Sequence, residues 1–175
     1  MSCVGYNGHS QCRTEIVSLF LMSLTKGGVQ MATYCCGTYE HQLDDKNRLR
    51  IPAKFRKALV GEDGDKSYSF ARGMSDGCIY VLPEEELQAI MEKLADEKMG
   101  EASLATMLFY GSVYEAEEDP QGRVVLPAKL KAAAGIEKDI VTVGRGKRIE
   151  IWAADVYDEL CANANYKAEF KKLGI

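Results

Sequence analysis

The chain states one phrase twice. "DDKNRLRIPAK" (Asp44 to Lys54) returns as "DPQGRVVLPAK" (Asp119 to Lys129), and the two align without a gap. The offset is 75 residues (119 less 44), and it also carries Tyr39-Glu40 to Tyr114-Glu115 and Arg48 to Arg123. Further on, "FARG" (Phe70 to Gly73) answers "VGRG" (Val143 to Gly146), and "CIYVL" (Cys78 to Leu82) answers "RIEIW" (Arg148 to Trp152). Ordered matches of this kind mean one supersecondary unit used twice. Neither copy is long enough to bury much core alone, so the two are expected to interleave around a shared one.

Each copy carries one pattern. An extended segment, "TYEHQLD" or "SVYEAEED", leads to a turn at Asn47 or Gly122. Asn and Gly tolerate a left-handed backbone best, so both turns are expected to use positive φ. "RLRIP" and "RVVLP" then read as short strands ended by Pro, and Pro suits the start of a helix. "PAKFRKAL" and "PAKLKAAAG" therefore read as short helices, the second stopped by Gly135. Two strands follow in each copy, "KSYSFARG" and "GCIYVL", then "DIVTVGRG" and "KRIEIW". A longer helix closes each unit. In the first, Leu87, Ile90, Met91 and Leu94 share a face; in the second, a single helix "AADVYDELCANANYKAEF" places Val156, Tyr157, Leu160 and Ala164 together. "LATMLFYG" (Leu104 to Gly111) bridges the halves and is apolar enough to be buried. The expected fold is α+β, a β-α-β-β-α unit used twice and closed into one small pseudo-two-fold barrel with peripheral helices. Its boundaries are residues 34–110 and 111–175, after a leading segment, 1–33.

The formal charge of −4 argues against a general nucleic-acid binder, which carries excess Lys and Arg. The distribution says otherwise. "KNRLRIPAKFRK" holds Lys46, Arg48, Arg50, Lys54, Arg56 and Lys57 without an acid. On a strand, Arg48 and Arg50 share a face, with Lys46 in the adjoining turn, and such a patch is the right width for a DNA groove. The second copy offers Arg123, Lys129 and Lys131, fewer cations around the same turn. Asp44 and Asp119, four residues before each Arg, read as structural: they can accept turn N–H groups or pair with that Arg.

Other chemistry is excluded by what is missing. The six Cys form no CxxC pair and no regular disulfide spacing, and His9 and His41 are too few and scattered for a metal site. The Cys read as reduced, small apolar residues. "GRGK" (Gly144 to Lys147) lacks Walker spacing and precedes a strand, not a helix. No Ser-His-Asp, Cys-His or HExxH arrangement occurs, so neither catalysis nor a cofactor is expected. "EIVSLFLMSL" (Glu15 to Leu24) is too short to span a membrane and lacks a signal peptide's charges and cleavage site. The expectation is a disordered or weakly helical extension, with Met31 as the natural start.

"GTYEHQLDDKNRLRIPAKFRKAL" together with "DPQGRVVLPAKLKAAAGI" resembles the MraZ family, whose mark is two DxxxR phrases, each running into hydrophobic-Pro-Ala-Lys. The resemblance covers about Tyr34 to Phe170. It implies an AbrB-like swapped-hairpin fold and a cytoplasmic, nucleoid-associated transcriptional regulator. It further implies a ring-like homo-oligomer that binds direct repeats of double-stranded DNA in the promoter of a cell-division and cell-wall gene cluster. No membrane and no small-molecule substrate are implied. On the matching positions, Lys46, Asn47, Arg48, Arg50, Lys54 and Arg123 are the expected DNA-contacting residues, with Asp44, Asp119 and Gly122 structural. The first copy departs in having Asn47 where Gly is usual, and the second keeps Gly122 but lacks the neighbouring Lys. An AbrB-like protein-interaction or antitoxin module is the alternative.

Overall fold

In the computed structural model, residues 34–59, 67–75, 77–96 and 104–174 are described. The expectations for the leading segment and for Met31 fall outside them. Strands β1 (Cys35–Gln42) and β2 (Arg48–Leu49) are followed by helix α1 (Ala53–Arg56), which tightens into a 3-10 turn over Lys57–Leu59. Strands β3 (Tyr68–Arg72) and β4 (Cys78–Pro83) lead to α2 (Glu84–Asp96) and α3 (Leu104–Tyr110). The second copy supplies β5 (Tyr114–Glu115), β6 (Val124–Val125), α4 (Ala128–Ala133), β7 (Asp139–Gly146), β8 (Arg148–Ala153), α5 (Ala154–Asn163) and α6 (Tyr166–Lys172).

The copies exchange strands. A six-stranded antiparallel sheet runs β1-β7-β8-β4-β3-β5, and a two-stranded sheet joins β2 to β6. Thus β1 of the first copy pairs along its length with β7 of the second, while β5 of the second pairs with β3 of the first. Two pairings locate the symmetry. Leu49 faces Val124, and these are equivalent positions (124 less 49 is again 75). Tyr80 faces Glu150, the central residues of "CIYVL" and "RIEIW". Only a two-fold axis sets equivalent residues opposite each other. A pseudo-two-fold therefore passes through both sheets.

Alternation along the strands sorts side chains to the two faces of the large sheet. Phe70, Ile79, Val81, Ile149 and Ile151 join Leu49, Ile51, Phe55, Val124, Leu126 and Leu130 in one core, between that sheet and the β2–β6 layer with its short helices. Ala71, Cys78, Tyr80, Leu82 and Trp152 point the other way, where Leu87, Ile90, Met91 and Leu94 of α2 and Phe109 of α3 cover them. The predicted face of α2 is the face it buries.

Both short helices begin at Pro52 and Pro127, as expected, with Pro in the N-cap position. Gly135 ends α4 at φ 63°. Three expectations fail. The extended segment of the second copy shortens to β5, which pairs with Ser69 and Phe70 of β3, plus one bridge, Glu118 to Val124. The single closing helix of the second copy breaks at Ala164, which is extended (φ −72°, ψ 122°). Asn165 then caps a new helix by accepting a hydrogen bond from the Ala168 N–H. Val156 and Tyr157 are half-buried, whereas Leu160 and Ala164 are exposed. "LATMLFYG" is a helix that buries Phe109 but leaves Leu104, Met107, Leu108 and Tyr110 exposed.

Candidate nucleic-acid interface

The repeated phrase builds two facing turns. Asp44 Oδ1 accepts the backbone N–H groups of Lys46 and Arg48, each at 2.9 Å. Asp119 Oδ1 accepts those of Gln121 and Arg123, also at 2.9 Å. The turns close on the backbone as well: the Asp44 N–H donates to the Arg48 carbonyl and the Asp119 N–H to the Arg123 carbonyl. Asn47 (φ 55°) and Gly122 (φ 70°) take the left-handed backbone expected of them. No long hairpin stands behind either turn, because β1 leaves to pair with β7 and β2 with β6.

The outer oxygens of the two Asp meet both Arg. Arg48 Nε donates to Asp44 Oδ2 at 2.7 Å, and its Nη1 lies 3.5 Å from Asp119 Oδ2. Arg123 Nε donates to Asp119 Oδ2 at 2.8 Å, and its Nη1 lies 3.9 Å from Asp44 Oδ2. The four side chains form a closed ring across the pseudo-two-fold. The hydrogen bond from the Arg48 side chain, then that from its backbone, holds the Asp44 carboxyl down at about 2. Arg123 does the same for Asp119, also about 2. Opposite charge and charge-assisted hydrogen bonds both favour the ionised carboxylate.

A second exchange locks the turns, and sequence reasoning missed it. Arg56 reaches across to donate to the Gly122 carbonyl at 2.7 Å, and also to its own copy's Ile51 carbonyl at 3.1 Å. Lys131 Nζ reaches back to donate to Asn47 Oδ1 at 2.5 Å. Arg56 and Lys131 are equivalent positions (131 less 56 is 75). A cation kept in register by both copies was the signal available. A Cβ at Gly122 would stand 2.5 Å from Arg56 Nη2, so a side chain there would push the guanidinium aside.

The predicted site residues therefore divide. Arg48 and Arg123 are 21% and 29% exposed at the side chain and are engaged by acids. Asn47 is half-buried under Lys131. Lys46, Arg50 and Lys54 are exposed, as is Lys57, and no ion pair among the described residues involves them. Arg48 and Arg50 are thus neighbours with different surroundings, one half-buried in the ring and the other in solvent.

Little else competes as a site. Among the described residues no group of three or more His, Cys, Asp or Glu could hold a metal, and no helix is long and apolar enough to cross a membrane. The described cysteines are unpaired, and burial pushes the Cys78 thiol up to about 11, away from reactivity.

Comparison with known proteins also finds one unit matched twice along the chain. The family model described as "MraZ protein, putative antitoxin-like" matches twice, at residues 35–110 and 108–173. Transcriptional regulator MraZ of Symbiobacterium thermophilum is 39% identical over 142 residues, 79% of this chain and 99% of that protein. That of Lactobacillus johnsonii is 47% identical over 131 residues, 74% and 87% respectively. That of Syntrophomonas wolfei is 36% identical over 137 residues, 76% and 90%. With both halves matched and relatives covered almost end to end, the chain belongs to the MraZ family.

Proposed function

We propose that the chain is a transcriptional regulator that binds double-stranded DNA at direct repeats in a promoter. The observation that carries this is the row of exposed cations, Lys46, Arg50, Lys54 and Lys57, beside two turns locked rigid by the Asp–Arg ring. The relatives' name, transcriptional regulator, supports the same reading. Arg50 takes the base contact, because its guanidinium can offer guanine O6 and N7 a donor pair while meeting no acid here. Lys46 and Lys54 meet phosphate. Asn47, Arg48 and Arg123 serve by shaping the turns, and a contact of their own would cost the ring its bonds. The swapped-hairpin barrel inferred from the exchanged strands gives each subunit one such face. A ring of subunits then multiplies a weak contact, by about 10²–10⁴-fold in avidity. The regulator is cytoplasmic and nucleoid-associated, with no enzymatic activity, and the regulated promoter is that of the cell-division and cell-wall cluster.

Fluorescence anisotropy with a labelled promoter repeat tests this. Binding weakens as salt rises, and the log–log slope flattens by about one in Lys46→Ala or Lys54→Ala. Arg50→Ala loses about 1–3 kcal/mol and relaxes the preference for one base pair. Unchanged affinity in a variant combining Lys46→Ala, Arg50→Ala and Lys54→Ala would remove this face from the interface.

A further inference from the structure

The pseudo-two-fold is broken at one solvent-facing position of the β2–β6 ribbon. Arg48 stands opposite Val125, and Leu49 opposite Val124. Neighbours along a strand point to opposite sides, and residues facing each other across an antiparallel pair point to the same side. Leu49 and Val124, with Ile51 and Leu126 beyond them, form the inner side, each 2% exposed or less. Arg48, Arg50, Arg123 and Val125 form the outer side. The axis exchanges Arg48 with Arg123, and both are engaged by the two Asp. It also exchanges Arg50 with Val125, since 125 less 50 is again 75. These two are diagonal corners of the outer quartet. One is an exposed guanidinium outside every ion pair of the described residues, and the other is an isopropyl group, 59% exposed.

A lone exposed Val on a strand needs no explanation by itself. Its place does. A two-stranded ribbon fits the major groove, where each base pair shows its own pattern and thymine alone shows a methyl group. With Arg48 and Arg123 held across the middle by the Asp–Arg ring, Arg50 and Val125 are the corners left to meet base edges. Arg50 brings donors. Val125 brings neither donor nor acceptor, and pressing it on a polar edge would leave that edge unpaired. The C5-methyl of thymine is the one feature of the groove floor that matches it.

We infer that Val125 reads a thymine methyl, and that the difference between Arg50 and Val125 gives the bound repeat its direction. A two-fold face reads a palindromic site. This face reads guanine at one end and thymine at the other, so a single subunit distinguishes the two orientations of a repeat. The inference rests on the proposed DNA-binding reading, and it adds a residue from the copy that is poor in cations.

The full chain is used to select from a duplex library with a randomised core, and anisotropy is then measured on the enriched duplex. The parent chain enriches a non-palindromic motif. Each thymine of that motif is replaced in turn by deoxyuridine, which lacks only the methyl. One replacement weakens the parent about fourfold, the worth of one buried methyl-sized group. In Val125→Ser that same replacement has no effect, the coupling expected of a direct contact. Val125→Arg enriches a palindromic motif with guanine at the position of that thymine; Arg50 already occupies the related corner, so the ribbon accommodates the change. The inference is overturned if every deoxyuridine replacement affects the parent and Val125→Ser alike, or if Val125→Arg selects the parent's motif. Either result leaves DNA binding standing. A parent chain that enriches no motif overturns both.

Discussion

Asp44 and Asp119 each do two things with two oxygens. One oxygen organises a turn and the other ties that turn to its counterpart through Arg48 and Arg123. Both carboxyls sit at about 2 in the folded protein, below their ordinary 3.8. A folded value below the unfolded one means the unfolded chain binds protons first as pH falls. The stability these groups contribute is therefore complete above about pH 4 and lost as pH falls towards 2. Thermal melts should show a midpoint falling through that window, and Asp44→Asn with Asp119→Asn should lower the midpoint at pH 7 while flattening the acid slope. Arg56→Ala and Lys131→Ala should loosen the opposite copy's turn, read as faster amide exchange at Gly122 and Asn47 respectively. The left-handed turns could be read from the sequence because Asn and Gly each carry their own backbone preference. The ring could not be, since four-residue spacing pairs each Asp with its own Arg and does not say which turn lies across from it.

Strand β1 shows what a single element costs to seat. It lies at one edge of the large sheet, and only Cys35 is buried along it. Its approach to β7 depends on Gly144, where a Cβ would stand 2.6 Å from the Cys35 backbone and 2.8 Å from the Phe55 ring. Gly144 faces Gly37 across the ladder. Gly144→Val should destabilise the fold by about 1–3 kcal/mol or more through overpacking. Hydrogen exchange should place the loss in residues 35–42. The elements themselves were largely readable, because alternation, the two Pro-started helices and the α2 stripe are local signals. Element pairing was not. A repeat implies that two units share a core without saying that β1 and β5 cross to the other unit. Nor does helical periodicity reveal that the second closing helix stops at Ala164, where a cap at Asn165 outcompetes continuation.

At the scale of the whole molecule, two copies of one unit have become a single core with one axis, and the residues on that axis carry the asymmetry. Glu150 is 3% exposed, yet it accepts from Arg145 at 3.1 Å, Arg148 at 3.2 Å and the Trp152 ring N–H at 3.3 Å. The Arg148 guanidinium lies 4.5 Å above the Tyr80 ring that faces Glu150. Removing the acid leaves Arg148 half-buried without its carboxylate, and breaking a buried pair costs about 3–5 kcal/mol. Glu150→Ala should therefore lower the denaturation midpoint far more than Glu150→Gln, which keeps acceptors for the same donors. The pair also bears on descent. Two separate identical half-chains meeting on this axis would set Tyr80 against Tyr80, or Glu150 against Glu150. The second arrangement would bring two buried carboxylates face to face, each with its own half's Arg145 and Arg148 as partners. A covalent join lets the two halves differ at this point. The fused chain can therefore hold Tyr80 against Glu150 on its axis, a pairing that a homodimer of either half could not make.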